Sequence, residues 1–206
     1  FVFGLAGMMM GSVHAILEKD TRRMIAFSSV AQIGYIYMGI GLGTQAGMVA
    51  ALFHIFTHSA TKALLFISAV GLYEVSGDKK DFRSLRGAGY RNPLAGIGFS
   101  VGSLSMVGFP MLAGFSCKLL FATSALQSPS KILPTVIALA VSTTLNAVYF
   151  LRLVITLYSI PGKDQAVGWK TKSSREVLWP GWVGRKLAIL CYILLNLALG
   201  LFSQPI

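Results

Sequence analysis

The sequence predicts an all-α polytopic membrane protein. Hydrophobic residues make up 54% of the 206-residue chain and charged residues only 12%, whereas soluble domains carry about 25% charged residues. The mean hydropathy is +0.68, and most of the charges lie between long apolar segments. One apolar segment, Leu94 to Leu126, is too long for a single straight crossing, and the functional interpretation depends on it.

About six membrane crossings are predicted from apolar segments of bilayer length. They are residues 1–17, 24–43, 47–73, 93–127, 132–160 and 187–202. The first is at the short limit for a span, and the chain starts with Phe1 rather than Met. We therefore interpret the sequence as a piece of a longer membrane protein, in which the first and the final crossing are truncated.

The fourth segment predicts a discontinuous helix. The run from Leu94 to Leu126 holds 33 residues, which is roughly 50 Å of helix at about 1.5 Å per residue, whereas a bilayer core is about 30 Å thick. Gly108, Pro110 and Gly114 are the predicted break residues near its middle, and a lysine follows them. A break and a charge inside hydrocarbon are costly unless they line a polar cavity, so this segment indicates ion movement.

The distribution of Lys and Arg predicts the sidedness of the connections. The five connections carry 3, 0, 5, 1 and 6 of these residues in chain order. High and low counts alternate, as the positive-inside rule requires when each segment crosses once. The alternation holds only if the fourth segment, including its break, crosses once. Residues 18–23, 74–92 and 161–186 are therefore predicted to be cytoplasmic loops.

Composition and spacing exclude several other classes of function. The net charge is +11, but 15 of the 18 Lys and Arg lie in connections and form no basic helix face with interleaved aromatics, so no nucleic-acid partner is expected. All seven acidic residues lie in connections or at helix ends, and Cys117 and Cys191 have no metal-ligand spacing. We therefore expect no metal site and no nucleophilic active site.

His54, His58 and Lys62 form a polar row inside the third predicted crossing. Their spacing of four residues places them along one face of a helix. Histidine titrates near neutral pH and can both give and take a proton, so the row suits proton transfer between groups one turn apart. The alternative is that the histidines hydrogen-bond neighbouring helices, while Lys62 snorkels towards the interface.

Lys118 is the second candidate site. The interruption at Gly108 and Pro110 frees backbone carbonyls, and a cation beside such carbonyls is electrostatically favoured. Half-helix ends at membrane depth recur at ion sites in transporters. The alternative is a lysine that reaches the outer interface. Arg152, eight residues from Ile160, is interpreted as snorkelling or as part of a structural pair.

Three stretches of the sequence resemble motifs of one family, the antiporter-like membrane subunits. These subunits occur in respiratory complex I, in Mrp-type sodium/proton antiporters and in energy-converting hydrogenases. Residues 22–35 resemble "K-R-x-L-A-Y-S-S-x-x-Q-x-G-Y", residues 53–66 resemble "H-x-x-x-H-x-x-x-K-A-x-L-F" and residues 108–118 resemble "G-x-P-x-x-x-G-F-x-x-K". The motifs occur in the family's order, and weaker similarity extends to Tyr158.

The resemblance implies a fold for each part of the chain. Family members contain two inverted five-helix repeats, each with one broken helix. Residues 1–160 would be the second repeat, residues 161–186 a basic cytoplasmic loop, and residues 187–206 a final transmembrane helix. One departure concerns Arg22, which replaces the family's lysine. A guanidinium cannot deprotonate in proteins, so we interpret Arg22 as a cytoplasmic anchor.

The resemblance also implies a function. His54, His58 and Lys62 would form a central proton relay, and Lys118 would exchange protons with the outside. The implied cargo is protons, with Na+ as the alternative, and the implied location is a cell membrane or an energy-transducing organelle membrane. Partners would be lipid and other membrane subunits.

No flavin, quinone or iron–sulfur signature is visible, so no cofactor is expected and any redox step would belong to partner subunits. The family's first repeat is absent from this sequence, and the chain alone is not expected to pump. Two alternatives stay open. One is a structural membrane subunit without transport of its own, and the other is a stand-alone secondary transporter.

Overall fold

A computed structural model describes residues 1–160 and 182–202, and within these ranges every regular element is helical. The elements are α1 (Val2–Leu17), α2 (Thr21–Gly41), α3 (Gln45–Glu74), α4 (Ala88–Arg91), α5 (Pro93–Val107), α6 (Ala113–Ala125), a 3-10 turn (Pro129–Lys131), α7 (Ile132–Leu157) and α8 (Trp182–Phe202). The predicted all-α fold class is confirmed.

Among the described residues, four helical segments are long and apolar enough to cross a membrane, and two further apolar helices are shorter. The long segments are Thr21–Gly41, Gln45–Glu74, Pro129–Leu157 and Val183–Phe202, and the shorter helices are α1 and α5. The chain is therefore a polytopic membrane protein. The exact number of crossings stays a prediction, as does the division into a five-helix repeat and a final helix.

Polar side chains fix where two of the long helices begin. The carboxylate of Asp20 accepts a hydrogen bond of 3.0 Å from the backbone N–H of Arg23, so α2 begins at Thr21 and not at the predicted Met24. The hydroxyl of Thr44 caps α3 in the same way. Each side chain satisfies one of the backbone N–H groups that a helix start leaves without a partner.

The start of the last helix differs from its predicted position. α8 begins at Trp182, so residues 182–186 are helical rather than part of a loop. Their polar side chains can be accommodated in a helix because Arg185 forms an ion pair of 2.5 Å with Glu74 at the end of α3. The rest of the predicted basic loop, residues 161–181, lies outside the described residues, as do residues 203–206.

The Lys- and Arg-rich connections meet at one end of the helix bundle. The backbone N–H of Thr21 donates to the carbonyl of Lys80 at 2.9 Å, and that of Phe82 donates to the carbonyl of Lys19 at 3.2 Å. The ion pair of Glu74 brings the start of α8 to the same place. We call residues 18–23, 74–92 and the start of α8 the basic end.

The connections that are poor in Lys and Arg meet at the opposite end. The ammonium of Lys131 donates to the carbonyls of Gly41 and Leu42 at 2.8 and 3.2 Å. We call residues 42–44 and 127–131 the neutral end. Since Arg91 bonds the end of α3 at the basic end, the chain passes from the basic end to the neutral end through α5 and α6 in series.

Two buried apolar clusters hold the bundle together. The larger cluster joins α2, α3, α5 and α7 and includes Leu72, Phe99 and Phe150. The smaller cluster joins α1, α2 and α6 through Met8, Tyr35 and Phe121. The polar side chains that could carry function lie at the contacts among α2, α3, α5 and α6.

Candidate functional site

The chain is not helical between α5 and α6. Gly108 follows α5 at φ +89°, a left-handed conformation that glycine commonly adopts after a helix. Met111 also has a positive φ of 72°, which is uncommon for a residue with a side chain. Gly108 and Pro110 therefore lie between α5 and α6. That α5 and α6 together make one membrane crossing stays a prediction.

Gly114 lies in the first turn of α6 rather than in the interruption. Its lack of a side chain is needed for close packing instead, because a Cβ at this position would overlap the carbonyl oxygen of Ser105 in α5. The backbone N–H of Gly114 also lies 3.3 Å from the Ser105 hydroxyl, to which it donates. Gly114 thus allows the start of α6 to pack directly against α5.

Lys118 reaches back from α6 to the end of α5. Its ammonium donates to the carbonyl of Val107 and lies 3.5 Å from the carbonyl of Met106. Carbonyls at the end of a helix have no intrahelical partner and carry partial negative charge. A Cβ on Gly108 would lie 2.8 Å from Cδ of Lys118. Glycine at this position therefore supplies both the backbone turn and the space for the lysine.

His54 and His58 stack on one face of α3, with ring centroids 5.9 Å apart. Tyr35 and Phe121 pack against His54 at centroid distances of 5.5 and 5.4 Å. Within residues 1–160 and 182–202, neither ring nitrogen of His54 has a hydrogen-bond partner, nor does Nδ1 of His58. Aromatic packing therefore surrounds His54, and the backbone of Gln32 in α2 also lies near its ring, so the alternative of hydrogen bonds to neighbouring helices stays a prediction.

A small cavity connects the histidines to Lys118. Its volume is about 20 Å³, enough for about one water molecule. Its lining residues come from α2, α3, α5 and α6, and they are Gln32, His54, Thr57, His58, Thr61, Ser105, Met106, Gly114 and Lys118. The structure thus brings three of the four predicted relay residues together around one polar space.

Lys62 is the predicted relay residue that does not line this cavity. Its ammonium turns towards α2, where it donates to the carbonyl of Ile25 at 2.6 Å and to the hydroxyl of Ser28 at 2.5 Å. Lys62 is 7% exposed, so it does not snorkel to an interface. Its charge lies close enough to act on the ring of His58. Lys62 therefore adjoins the histidine pair.

The two arginines that sequence analysis singled out lie away from the cavity. The guanidinium of Arg152 lies over the ring of Phe82 at 4.9 Å and donates to the carbonyl of Ile16 at 3.4 Å. These contacts give Arg152 structural partners at the basic end. Arg22 is exposed at the start of α2, also at the basic end.

The last helix, α8, packs against the site, and this contact was not predicted from the sequence. The hydroxyl of Thr61 donates to the side-chain carbonyl of Asn196 at 2.8 Å. The hydroxyl of Ser116 donates to the carbonyl of Gly200 at 3.2 Å. A Cβ on Gly200 would overlap the carbonyl oxygen of Met111, so α8 packs directly on the interruption between α5 and α6.

Some of the missed residues carry a signal in the sequence. Thr57 and Thr61 continue the face of His54 and His58 at helical spacing, and Thr57 lies 2.8 Å from Sγ of Cys117 in α6. Asn196 is an amide in the apolar part of α8 that follows Lys186. Polar residues inside apolar helices are commonly buried against other helices.

Residues 1–146 match the family described as "NADH:quinone oxidoreductase/Mrp antiporter, TM". The chain belongs to this family, and the resemblance proposed from its sequence motifs is confirmed.

Relatives of known identity come from several kinds of complex. NADH-quinone oxidoreductase subunit N of Desulforudis audaxviator (strain MP104C) is 35% identical over 153 residues, which are 74% of this chain and 30% of the relative. One component of a probable K(+)/H(+) antiporter from Rhizobium meliloti (strain 1021) is 33% identical over 131 residues, which are 62% of this chain and 13% of the relative. The chain thus spans about a third or less of the length of these relatives.

Solved structures show the same fold. A chain of respiratory complex I from Thermus thermophilus superposes with a TM-score of 0.71 at 26% identity, over 97% of this chain and 42% of that one. A chain of an archaeal membrane-bound sulfane sulfur reductase gives a TM-score of 0.78 at 26% identity, over 97% and 38%. A chain of the Mrp complex from Dietzia sp. DQ12-45-1b is similar in fold, with a TM-score of 0.80 at 23% identity, over 97% and 43%.

Proposed function

We propose that this chain translocates protons, with Na+ as the alternative cation, as part of an antiporter-like subunit in a larger membrane complex. The complex would be of the NADH:quinone oxidoreductase, Mrp or hydrogenase type, and its other membrane subunits and lipid would be the partners. The observation that carries the proposal is the placement of Lys118. It is bonded to the freed end of α5 and shares a water-sized cavity with His54 and His58.

In the proposed mechanism, the cavity passes protons between α3 and α6. A water molecule in the cavity takes a proton from the ammonium of Lys118, and the lone pair of a ring nitrogen on His54 or His58 accepts it. The same steps in reverse recharge Lys118. Its protonated form donates to the carbonyl of Val107, and its neutral form loses the charge that favours this contact. Lys62, near His58, would extend the relay towards α2.

We further propose that the basic end faces the cytoplasm. The Lys and Arg of residues 18–23 and 74–92 meet there, and residues 42–44 and 127–131 meet at the opposite end. The positive-inside rule assigns the end rich in Lys and Arg to the cytoplasm. In this orientation α5 and α6 cross the membrane once in series, and the interruption between them lies at membrane depth.

The test compares two replacements of Lys118 in the full complex reconstituted into vesicles. Lys118→Arg keeps the charge and can still donate to carbonyls, but a guanidinium does not release a proton. Lys118→Met removes both the charge and the hydrogen-bond donors. If Lys118 relays protons, both variants lose about 10²-fold or more in translocation rate while the complex stays assembled.

The control is Lys131→Met, which removes a lysine that also bonds carbonyls but lies at the neutral end. It should translocate normally. If the chain has only a structural role, Lys118→Arg should assemble and translocate at the normal rate, and that result would refute the proposal. Repeating the assay with and without Na+ identifies the cation.

A further inference from the structure

We infer that α7 carries a second hydrated track, which connects Lys62 to the neutral end of the bundle without passing Lys118. Its ligand would be a chain of ordered water molecules, and its role would be to conduct protons. The inference rests on the proposed proton translocation for its role, but its hydration can be tested independently. The residues that carry it lie outside the cavity described above.

The track begins with a buried polar stripe on α7. Thr135, Ser142 and Asn146 are 0% exposed and Tyr149 is 1% exposed. Their spacings of seven, four and three residues place them on one face of the helix. At about 1.5 Å per residue the stripe is roughly 21 Å long, a large part of the roughly 30 Å of a bilayer core.

One end of the stripe lies in the middle of the bundle, where it approaches Lys62. The hydroxyl of Tyr149 donates to the side-chain carbonyl of Asn146 at 2.5 Å and lies beside the hydroxyl of Ser28. The hydroxyl of Ser28 in turn accepts the hydrogen bond of 2.5 Å from Lys62. Lys62, Ser28, Tyr149 and Asn146 therefore lie in a row across α3, α2 and α7, in which the hydroxyl of Ser28 itself donates to the carbonyl of Ile25 at 2.8 Å.

The rest of the stripe contains polar atoms that lack a protein partner. Within the described ranges, Nδ2 of Asn146, Oγ of Ser142 and Oγ1 of Thr135 have no hydrogen-bond partner. The hydroxyl of Tyr35 lies beside Ser142 and also lacks a well-formed hydrogen bond. Buried polar groups are costly without partners, and ordered water is the usual means of satisfying them. Three such groups along one face of α7, with the Tyr35 hydroxyl of α2 facing them, indicate a row of water sites.

The other end of the stripe reaches the neutral end. Thr135 lies in the first turn of α7, directly after the neutral end. Leu139 lies on the same face between Thr135 and Ser142 and belongs to the smaller apolar cluster, so the proposed water chain must bridge an apolar gap there. Hydroxyl groups and water conduct by accepting one proton while releasing another. A proton that leaves Lys62 would thus expel a different proton at the neutral end, after which the track reorients and Lys62 takes up another proton.

The first test is hydroxyl-radical footprinting of the intact complex in membranes. Radicals generated from bound water modify the side chains next to that water. Tyr149 and Tyr35 should be modified severalfold more than Phe99, a fully buried ring that lies on α5 and not on the stripe, after correction for intrinsic reactivity. Equal, low modification of all three rings would show that the track is dry and would overturn the inference.

The second test uses a matched pair of replacements at Ser142. Ser142→Thr and Ser142→Val add nearly the same volume, but only threonine keeps the hydroxyl. We expect proton translocation to fall severalfold in Ser142→Val and to be largely retained in Ser142→Thr. Thr144→Val is a control on the same helix, because Thr144 is exposed and its hydroxyl bonds the carbonyl of Ala140 in its own helix.

Equal translocation by the two Ser142 variants would show that the track does not conduct and would overturn its proposed role. Failure of this inference is distinguishable from failure of the proposed function. A dry track with translocation that depends on Lys118 overturns only the track. Normal translocation by Lys118→Arg, with strong labelling of Tyr149, overturns the Lys118 relay and leaves the hydrated track standing.

Discussion

Lys62 is buried and Lys118 is half-buried; both donate to backbone carbonyls, yet the chain builds their sites in different ways. For Lys118 the helix ends, and the freed carbonyls of Met106 and Val107 become acceptors. For Lys62 the neighbouring helix α2 continues, and its ammonium uses the carbonyl of Ile25 together with the hydroxyl of Ser28.

The two sites differ in how much space surrounds the lysine side chain. Lys118 borders a water-sized cavity, and its acceptors belong to a helix end beside an irregular segment. Lys62 is enclosed by helices and is 7% exposed, with two short hydrogen bonds. The interrupted helix therefore leaves Lys118 beside open space, whereas the enclosed site holds Lys62 in one position.

The largest expected effect comes from placing arginine at each position. Lys62→Arg adds a larger planar group to an enclosed site, and overpacking of this kind costs about 1–3 kcal/mol. Lys118→Arg can use the cavity for its extra volume. We expect Lys62→Arg to lower the thermal stability and the yield of the assembled complex and Lys118→Arg to leave both near normal. Equal loss in both variants would show that the sites do not differ in tolerance.

Removal of a hydroxyl from the Lys62 site should have the next largest effect. Ser28→Ala leaves the ammonium with the carbonyl of Ile25 as its remaining acceptor, at a cost of about 1–3 kcal/mol. Ser29→Ala is the matched control, because the hydroxyl of Ser29 lies 3.4 Å from the same carbonyl and takes no part in the bonds of Lys62. Thermal unfolding of the two variants measures the difference, and equal midpoints would contradict the assigned role of Ser28.

Gly108 tests the Lys118 site through the backbone. Gly108→Ala forces a side chain into the left-handed region at a cost of about 1–2 kcal/mol, and its Cβ would also press on Lys118. Gly43 has a similar φ of +73° with open space around it, so Gly43→Ala shares the strain without the contact.

Translocation should therefore fall in Gly108→Ala while it is retained in Gly43→Ala. The stability loss should be similar or somewhat larger for Gly108→Ala. If both variants translocate equally well, the close approach of Lys118 to Gly108 has no functional role.

The comparison also shows what a sequence can predict. The interruption was predictable because Gly108 and Pro110 are poor helix formers in an apolar run that exceeds the bilayer thickness. The face shared by His54 and His58 follows from helical spacing alone.

The partners of Lys62 were not predictable in the same way. That Lys62 meets Ser28, and that Gly200 packs against Met111, depends on the rotation and depth of separate helices. Periodicity within one helix does not determine either quantity. The start of α8 differs from its predicted position for a related reason. The helix includes Arg185, whose side chain forms an ion pair with Glu74 at the end of a separate helix.

The smallest expected effect concerns Asp81, an exposed carboxylate at the basic end. Its charge is largely solvated by water, whereas the charges of Lys62 and Lys118 are stabilised by protein groups. Asp81 accepts hydrogen bonds of 3.0 and 2.9 Å from the backbone N–H and the hydroxyl of Ser84. Partial burial by itself raises the pKa of Asp81, but the hydrogen bonds from Ser84 outweigh it and hold the pKa below its ordinary value of 3.8. Since the folded pKa is the lower one, the carboxylate stabilises this connection above about pH 4, and the contribution is lost as the pH falls through the folded pKa.

Ser84→Ala should raise the pKa of Asp81 and move the loss of protection in residues 80–84 to higher pH. Hydrogen exchange of the Phe82 amide, corrected for its intrinsic pH dependence, measures this, because that amide donates to Lys19 across the same connection. The Lys62 and Lys118 sites should not respond to Ser84→Ala, so translocation is its internal control. Unchanged protection of Phe82 in Ser84→Ala down to about pH 3, below the ordinary pKa of an aspartate, would show that the backbone pairing of residues 19–21 with 80–82 holds the basic end together without Asp81.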